Sequence, residues 1–178
     1  MKKLFLFALL ISVCFQFQKA NAVEKGDLVI QPNLNLGNYY ISGGLRGSRG
    51  FGIGVTGNVD YAVHEYVSVG GFVGFNHVNL KYGGSYGRVG IGARGVFHFW
   101  QLVDDKAQKD LKSDKVDWYI PLHLGYNFYT GDASDASGDV LWGLGMGIRY
   151  YFNDKIGIGF EFGGMELSPA KIGVAIKL

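Results

Sequence analysis

Trp142-Gly-Leu-Gly-Met-Gly-Ile-Arg-Tyr-Tyr-Phe152 alternates large and minimal side chains with a period of two. Trp142, Leu144, Met146, Ile148, Tyr150 and Phe152 share one face, and Gly143, Gly145, Gly147 and Arg149 share the other. A β-strand turns successive side chains to opposite faces, so this stretch is a strand with one bulky apolar face and one nearly empty face. A helix is excluded, since each interior glycine costs about 1 kcal/mol against alanine. The same division recurs upstream, where Phe51, Ile53, Val55, Val59, Tyr61 and Val63 stand against Gly52, Gly54, Thr56, Asn58 and Asp60. It recurs again at the end, with Ile172, Val174, Ile176 and Leu178 against Lys171, Gly173, Ala175 and Lys177.

Extended along the chain, the alternation predicts eight strands near 27–41, 51–63, 67–80, 88–99, 117–129, 140–152, 156–165 and 170–178. Glycine makes up 29 of the 178 residues, more than twice its usual share of roughly 7%. The face opposite the apolar one takes most of the strand glycines: 37, 52, 54, 70, 74, 90, 92, 125, 143, 145, 147, 157, 159, 163 and 173. It also takes the charged strand residues Asp60, Arg94, Arg149, Glu161, Lys171 and Lys177. An eight-stranded barrel has an interior just wide enough for side chains to fill. The large apolar set does not fit there, and a glycine-covered exterior would be a poor soluble surface. With the glycine face inward and the apolar face outward, both difficulties disappear. Only a closed barrel places β-structure in a bilayer, because no strand edge is left unpaired. The expected fold is therefore all-β: an eight-stranded antiparallel up-and-down transmembrane β-barrel.

Residues 1–22 read as a cleaved secretory signal peptide, with Lys2 and Lys3 ahead of an apolar run from Leu4 to Phe15 and Ala20-Asn21-Ala22 after it. The run is too short for a membrane-spanning helix, which needs about 20 residues. A lipoprotein signal at Cys14 is disfavoured by the branched Val13 beside it. Cleavage after Ala22 removes three lysines and no acid, taking the net charge from +2 to −1. The basic balance of the full chain is thus no argument for a nucleic-acid partner. The sole cysteine leaves as well, so the exported chain builds no disulfide.

Aromatic residues sort to the strand ends. Tyr61, Phe97, Phe99, Trp100, Trp118, Tyr150 and Phe152 gather at one set, and Tyr40, Phe51, Phe75, Phe128 and Trp142 lie towards the other. Such girdles mark the two headgroup levels of a membrane. With the N-terminus in the periplasm, turns at 64–66, 101–116 and 153–155 face the periplasm. Loops at 42–50, 81–87, 130–139 and 166–169 then face outward.

The segments Ile91-Gly-Ala-Arg-Gly-Val-Phe-His-Phe99, Trp118-Tyr-Ile-Pro-Leu-His-Leu-Gly-Tyr126 and Gly147-Ile-Arg-Tyr-Tyr-Phe-Asn-Asp154 complete a pattern covering residues 23–178. That pattern resembles the small eight-stranded outer-membrane β-barrel family, of the OmpA transmembrane-domain and OmpX type. The chain departs from it by ending in Leu178 rather than an aromatic residue. The resemblance implies a single barrel domain over 23–178, integral to a Gram-negative outer membrane. The partners it implies are outer-membrane lipid, lipopolysaccharide and the assembly machinery, for a monomer without a cofactor.

Asp60, Arg94, Arg149 and Glu161 lie at similar depth on the inward face, so an ion-pair network across the lumen is expected, plugging it rather than opening a pathway. Buried charges need such partners. His98 and His123 also point inward, His64 lies in a turn and His77 near the outer rim, with no metal-ligand spacing among them. A lipid-facing hydrolase needs Ser, His and an acid on the outward face, and the outward assignment holds no Ser, His, Asp or Glu. No catalytic residue is therefore expected, and an outer-rim acyltransferase using Ser42, Ser48 or His77 is the weakest alternative. The loop Thr130–Asp139 carries three acids but lacks the closing Glu of a calcium loop, so it reads as solvated. Arg46, Arg49 and Lys81 in the outer loops, with Arg88 just beyond, are candidate contacts for lipopolysaccharide phosphates. In the insertion 101–117, Asp104 or Asp105 would cap a short helix with Val103, Ala107 and Leu111 on one side. That segment is a solvated loop or a helix closing the barrel mouth or, less favoured, docks a periplasmic partner. The functional expectation is a structural barrel serving envelope integrity or surface interaction, with a narrow porin-like channel as the alternative and a lipid-modifying enzyme third.

Overall fold

The computed structural model describes residues 22–37, 51–79, 84–107, 114–131, 138–164 and 167–178. Eight strands run β1 Leu28–Leu36, β2 Phe51–His64, β3 Val67–Asn79, β4 Ser85–Phe97, β5 Val116–Gly131, β6 Asp139–Tyr151, β7 Ile156–Gly163 and β8 Ala170–Lys177. Among the described residues a helix, α1 Phe99–Ala107, stands between β4 and β5. Each strand pairs antiparallel with the next, and β1 pairs with β8 through Val29 with Lys177 and Leu36 with Ala170, closing the barrel.

Parity along the strands sorts the residues as the sequence suggests. Outward positions are mostly aliphatic or aromatic, with Trp142 76% and Leu124 61% exposed, and among the described residues no Asp, Glu, Lys or Arg stands on the outward strand face. Inward positions are buried. The lumen is not only glycine and polar groups, however. Val29, Phe72, Val78, Tyr86, Val96, Tyr119, Tyr129, Leu141 and Tyr151 also point in and are buried. Neighbouring glycines make room for them: a Cβ at Gly147 would come within 2.2 Å of the Tyr119 ring, and Gly147 pairs directly with Tyr119 in the ladder.

Two prolines sit inside ladders, where each lacks an N–H to donate. The β1–β8 pairing skips from Ile30 to Asn33 around Pro32, and the β5–β6 pairing skips from Tyr119 to Leu122 around Pro121. Each proline still pairs on its other side, Pro32 with Gly57 and Pro121 with Val96.

Several boundaries differ from the periodicity. β1 stops at Leu36 because Gly37 turns the chain with φ of +90°, so Gly37 is not an inward strand glycine. Gly163, at φ +118°, likewise ends β7, and its N–H donates to the Pro169 carbonyl at 3.0 Å. β4 begins at Ser85, inside the expected loop 81–87. Its other end stops at Phe97, where the His98 N–H turns aside to the Tyr66 carbonyl at 2.9 Å. The helix therefore starts at Phe99, and Asp104 and Asp105 lie within it rather than capping it. The expected signal segment up to Asn21, Tyr40, Leu111, most of the acidic loop and the whole loop 42–50 lie outside the described residues.

Candidate functional site

The barrel end that holds Ala22 and Leu178 is filled by charge. Asp60 on β2 and Arg94 on β4 flank Gly70 on β3 in register, and the missing side chain lets Arg94 Nε reach Asp60 Oδ1 at 2.9 Å. Arg94 also grips Glu161 through both of its terminal nitrogens, with Nη1 to Oε2 at 3.2 Å. Lys171 Nζ meets Glu161 Oε2 at 2.8 Å, from the adjacent position on β8. Arg149 Nη2 meets Asp60 Oδ2 at 2.6 Å, its Nη1 stands 3.5 Å from Asp117 Oδ2, and its Nε donates to Gln31 Oε1 at 2.7 Å. Tyr119 links the two halves. Its hydroxyl donates to Glu161 Oε1 at 2.8 Å, and its ring lies 4.2 Å from the Arg149 guanidinium carbon, a cation–π contact. The three carboxylates and three cations of this set balance, and all six are at most 3% exposed.

All four residues expected to meet, Asp60, Arg94, Arg149 and Glu161, thus lie in one connected set. Asp117, Lys171, Tyr119 and Gln31 join them. Asp117, the last residue of the expected insertion 101–117, is an inward residue of β5. Inward parity and depth would have found both Asp117 and Lys171.

A second chain of hydrogen bonds leads from this network to the terminal mouth. His98 Nδ1 is 2.9 Å from Asp117 Oδ1, and His98 Nε2 is 2.8 Å from Ser68 Oγ. His123 instead joins Arg94 Nη1 at 2.9 Å and packs edge-on to Phe72. At the mouth, α1 is tied to the β2–β3 turn by Tyr66, whose hydroxyl donates to Asp105 Oδ2 at 2.6 Å. That hydrogen bond, with the charges of Asp105 and Glu65, pushes the Tyr66 phenol up to about 12. Ala22 packs with Val29, Tyr151 and Ala175 just inside the same mouth.

Towards the far end the lumen holds apolar and amide side chains together with Arg88. Leu167 reaches in from the β7–β8 connection, wholly buried, with its methyl groups over Gly74 and Gly90, where added Cβ atoms would stand 2.7 and 3.0 Å away. Asn76 Nδ2 donates to its carbonyl at 3.3 Å, and Ser168 Oγ donates to the carbonyls of Leu36 and Ala170, both at 2.7 Å. Beyond them Val78, Tyr86 and Tyr129 pack together, and Tyr129 donates to Asp139 Oδ1 at 3.0 Å.

The surface sites fare differently. Arg46, Arg49 and Lys81 lie outside the described residues. Arg88, expected beside them as a lipopolysaccharide contact, is 6% exposed on the inward face of β4. It shares the parity of Arg94, which turns it into the lumen and away from any surface ligand. His77 stands on the outward face of β3, half-buried, so that face does hold one histidine.

No family model matches this chain, and no curated protein sequence matches it. Solved structures do. OprG, an outer membrane protein from Pseudomonas aeruginosa, aligns with a TM-score of 0.54 and 11% identity, over 89% of this chain and 99% of that one. Ail, the attachment invasion locus protein of Yersinia pestis, aligns with a TM-score of 0.50 and 14% identity, over 87% and 96%. The fold is that of the small eight-stranded outer-membrane barrels. With its apolar exterior and closed ladder, the chain is a membrane barrel protein.

Proposed function

We propose that this chain resides in a Gram-negative outer membrane as a structural barrel whose lumen is filled by its own side chains, serving envelope integrity or surface interaction. The carrying observation is the buried, charge-balanced network of Asp60, Arg94, Asp117, Arg149, Glu161 and Lys171 across one half of the lumen. Leu167 occupies the lumen further along. A channel needs a continuous wet path, whereas these side chains spend their polar groups on one another. The insertion fits this reading as a closure of the mouth, because α1 holds the β2–β3 turn through Tyr66 and Asp105.

The location is tested by fractionating cells that express the full chain. The protein is expected in the outer-membrane fraction, migrating in gels as a compact form before heating and as a slower form after it. Recovery as a soluble periplasmic protein would overturn the proposal.

A further inference from the structure

The hydrogen-bond chain at the terminal mouth has an order that the ion network does not require. Ser68 Oγ, His98 and Asp117 are joined serine to Nε2 at 2.8 Å and Nδ1 to carboxylate at 2.9 Å. An ionised carboxylate only accepts, so His98 Nδ1 carries the proton that faces Asp117. In the neutral form of the ring Nε2 is then the acceptor, and the Ser68 hydroxyl donates to it. This is the polarity a nucleophilic serine needs: hydroxyl, base, and an acid that fixes the tautomer of the base. Asp117 is itself steadied by Arg149 from its other oxygen.

Three strands and one turn build the arrangement. Ser68 is the second residue of β3, paired with Ala62 on β2 and Val96 on β4. His98 follows β4 directly, and Asp117 is the second residue of β5. All three point into the same mouth. Helix α1 begins at the residue after His98 with no acid in its first turn. Its first N–H groups lack intrahelical partners and form the positive end of its dipole, where developing negative charge is favoured.

We propose that Ser68, His98 and Asp117 form an acyl-transfer site in the lumen mouth, acting on small uncharged carboxylic esters. Ser68 and His98 are the catalytic pair, and Asp117 is a positioning residue. The size limit follows from the walls: Ala62 and Val96 are buried beside Ser68, and the Tyr119 ring lies 6.0 Å from His98. The Ser68 oxygen attacks the ester carbonyl carbon while its proton passes to His98 Nε2. The bond to the leaving alcohol breaks, and the departing alkoxide takes that proton, leaving acyl-Ser68. Water then attacks the acyl carbon, giving a proton to Nε2. The carboxylic acid departs as Ser68 Oγ regains the proton.

Ser168 supplies the internal comparison. It is as buried as Ser68, but its hydroxyl donates to backbone carbonyls and has no base. The folded full chain in detergent micelles is treated with diisopropyl fluorophosphate, whose phosphorus accepts the serine oxygen as fluoride and the proton leave. Peptide mass spectrometry then follows each serine. Ser68 is expected to be modified about a hundredfold or more faster than Ser168, the lower end of what a positioned base contributes. The variant Asp117→Asn, taken from the compact band in gels so that only folded protein is compared, is expected to label more slowly. Labelling of Ser68 no faster than Ser168, or at an unchanged rate in Asp117→Asn, would overturn the assignment.

Discussion

Replacing Arg149 by methionine is expected to destabilise the folded barrel by about 3–5 kcal/mol, the cost of removing one partner from a buried ion pair. Arg149 is wholly buried and serves Asp60, Asp117 and Gln31 together. Without it two carboxylates, each at most 3% exposed, lose a cation. Asp117 keeps only His98, and Asp60 keeps only Arg94. Methionine fills much of the vacated volume, so the effect reports charge rather than a cavity. Urea unfolding in detergent micelles, followed by the compact band in gels, measures it. Neutralising the stranded acids in the triple variant Arg149→Met, Asp60→Asn, Asp117→Asn is expected to restore a large part of the loss, since wholly neutral replacements of buried ionic sets are close to neutral in stability. A single Arg149→Met variant as stable as the parent would remove the network from the account.

The second large effect is expected from one methyl group. A Cβ on Gly70 would fall 1.8 Å from the Val59 carbonyl oxygen and 3.0 Å from the Asp60 Cα. Those are backbone atoms of the paired strand, so no rotamer change relieves the overlap. The strands must separate just where Arg94 crosses to Asp60. Overpacking commonly costs 1–3 kcal/mol and more when the backbone must move, and here it also breaks an ion pair. Gly70→Ala is therefore expected to leave little or no compact band. Gly57→Ala and Gly95→Ala are the controls, because their added Cβ atoms would meet nothing within 4 Å. They are expected to change stability by no more than about 0.5 kcal/mol. Equal behaviour of all three variants would show that the inward glycines are not packing positions.

The alternation of side chains carried the fold, because parity is the one property a strand states locally. Seven of the eight strands begin within one residue of the expected position, and β4 is the exception. Boundaries failed where a local rule was broken. Gly37 leaves β1 through a left-handed φ, and α1 starts early because Phe99 and Trp100 look like further strand residues. The candidate site was legible as to face but not as to contact. Parity put Arg88 and Arg94 on the same side, yet proximity to a loop drew Arg88 to the surface reading. Tyr119 went unnoticed because the room for its ring comes from Gly147, which becomes its neighbour through strand register alone. Ser68, His98 and Asp117 are separated by 30 and 19 residues, so only closure of the barrel brings them to one mouth.

The central claim is that this membrane barrel is closed by its own interior. Single-channel recording of the purified, refolded full chain in planar lipid bilayers tests it most directly. The account predicts a silent membrane at potentials where an open pore would conduct, with incorporation shown by the compact band recovered from the same preparation. Reproducible unitary current steps from the parent chain would contradict it.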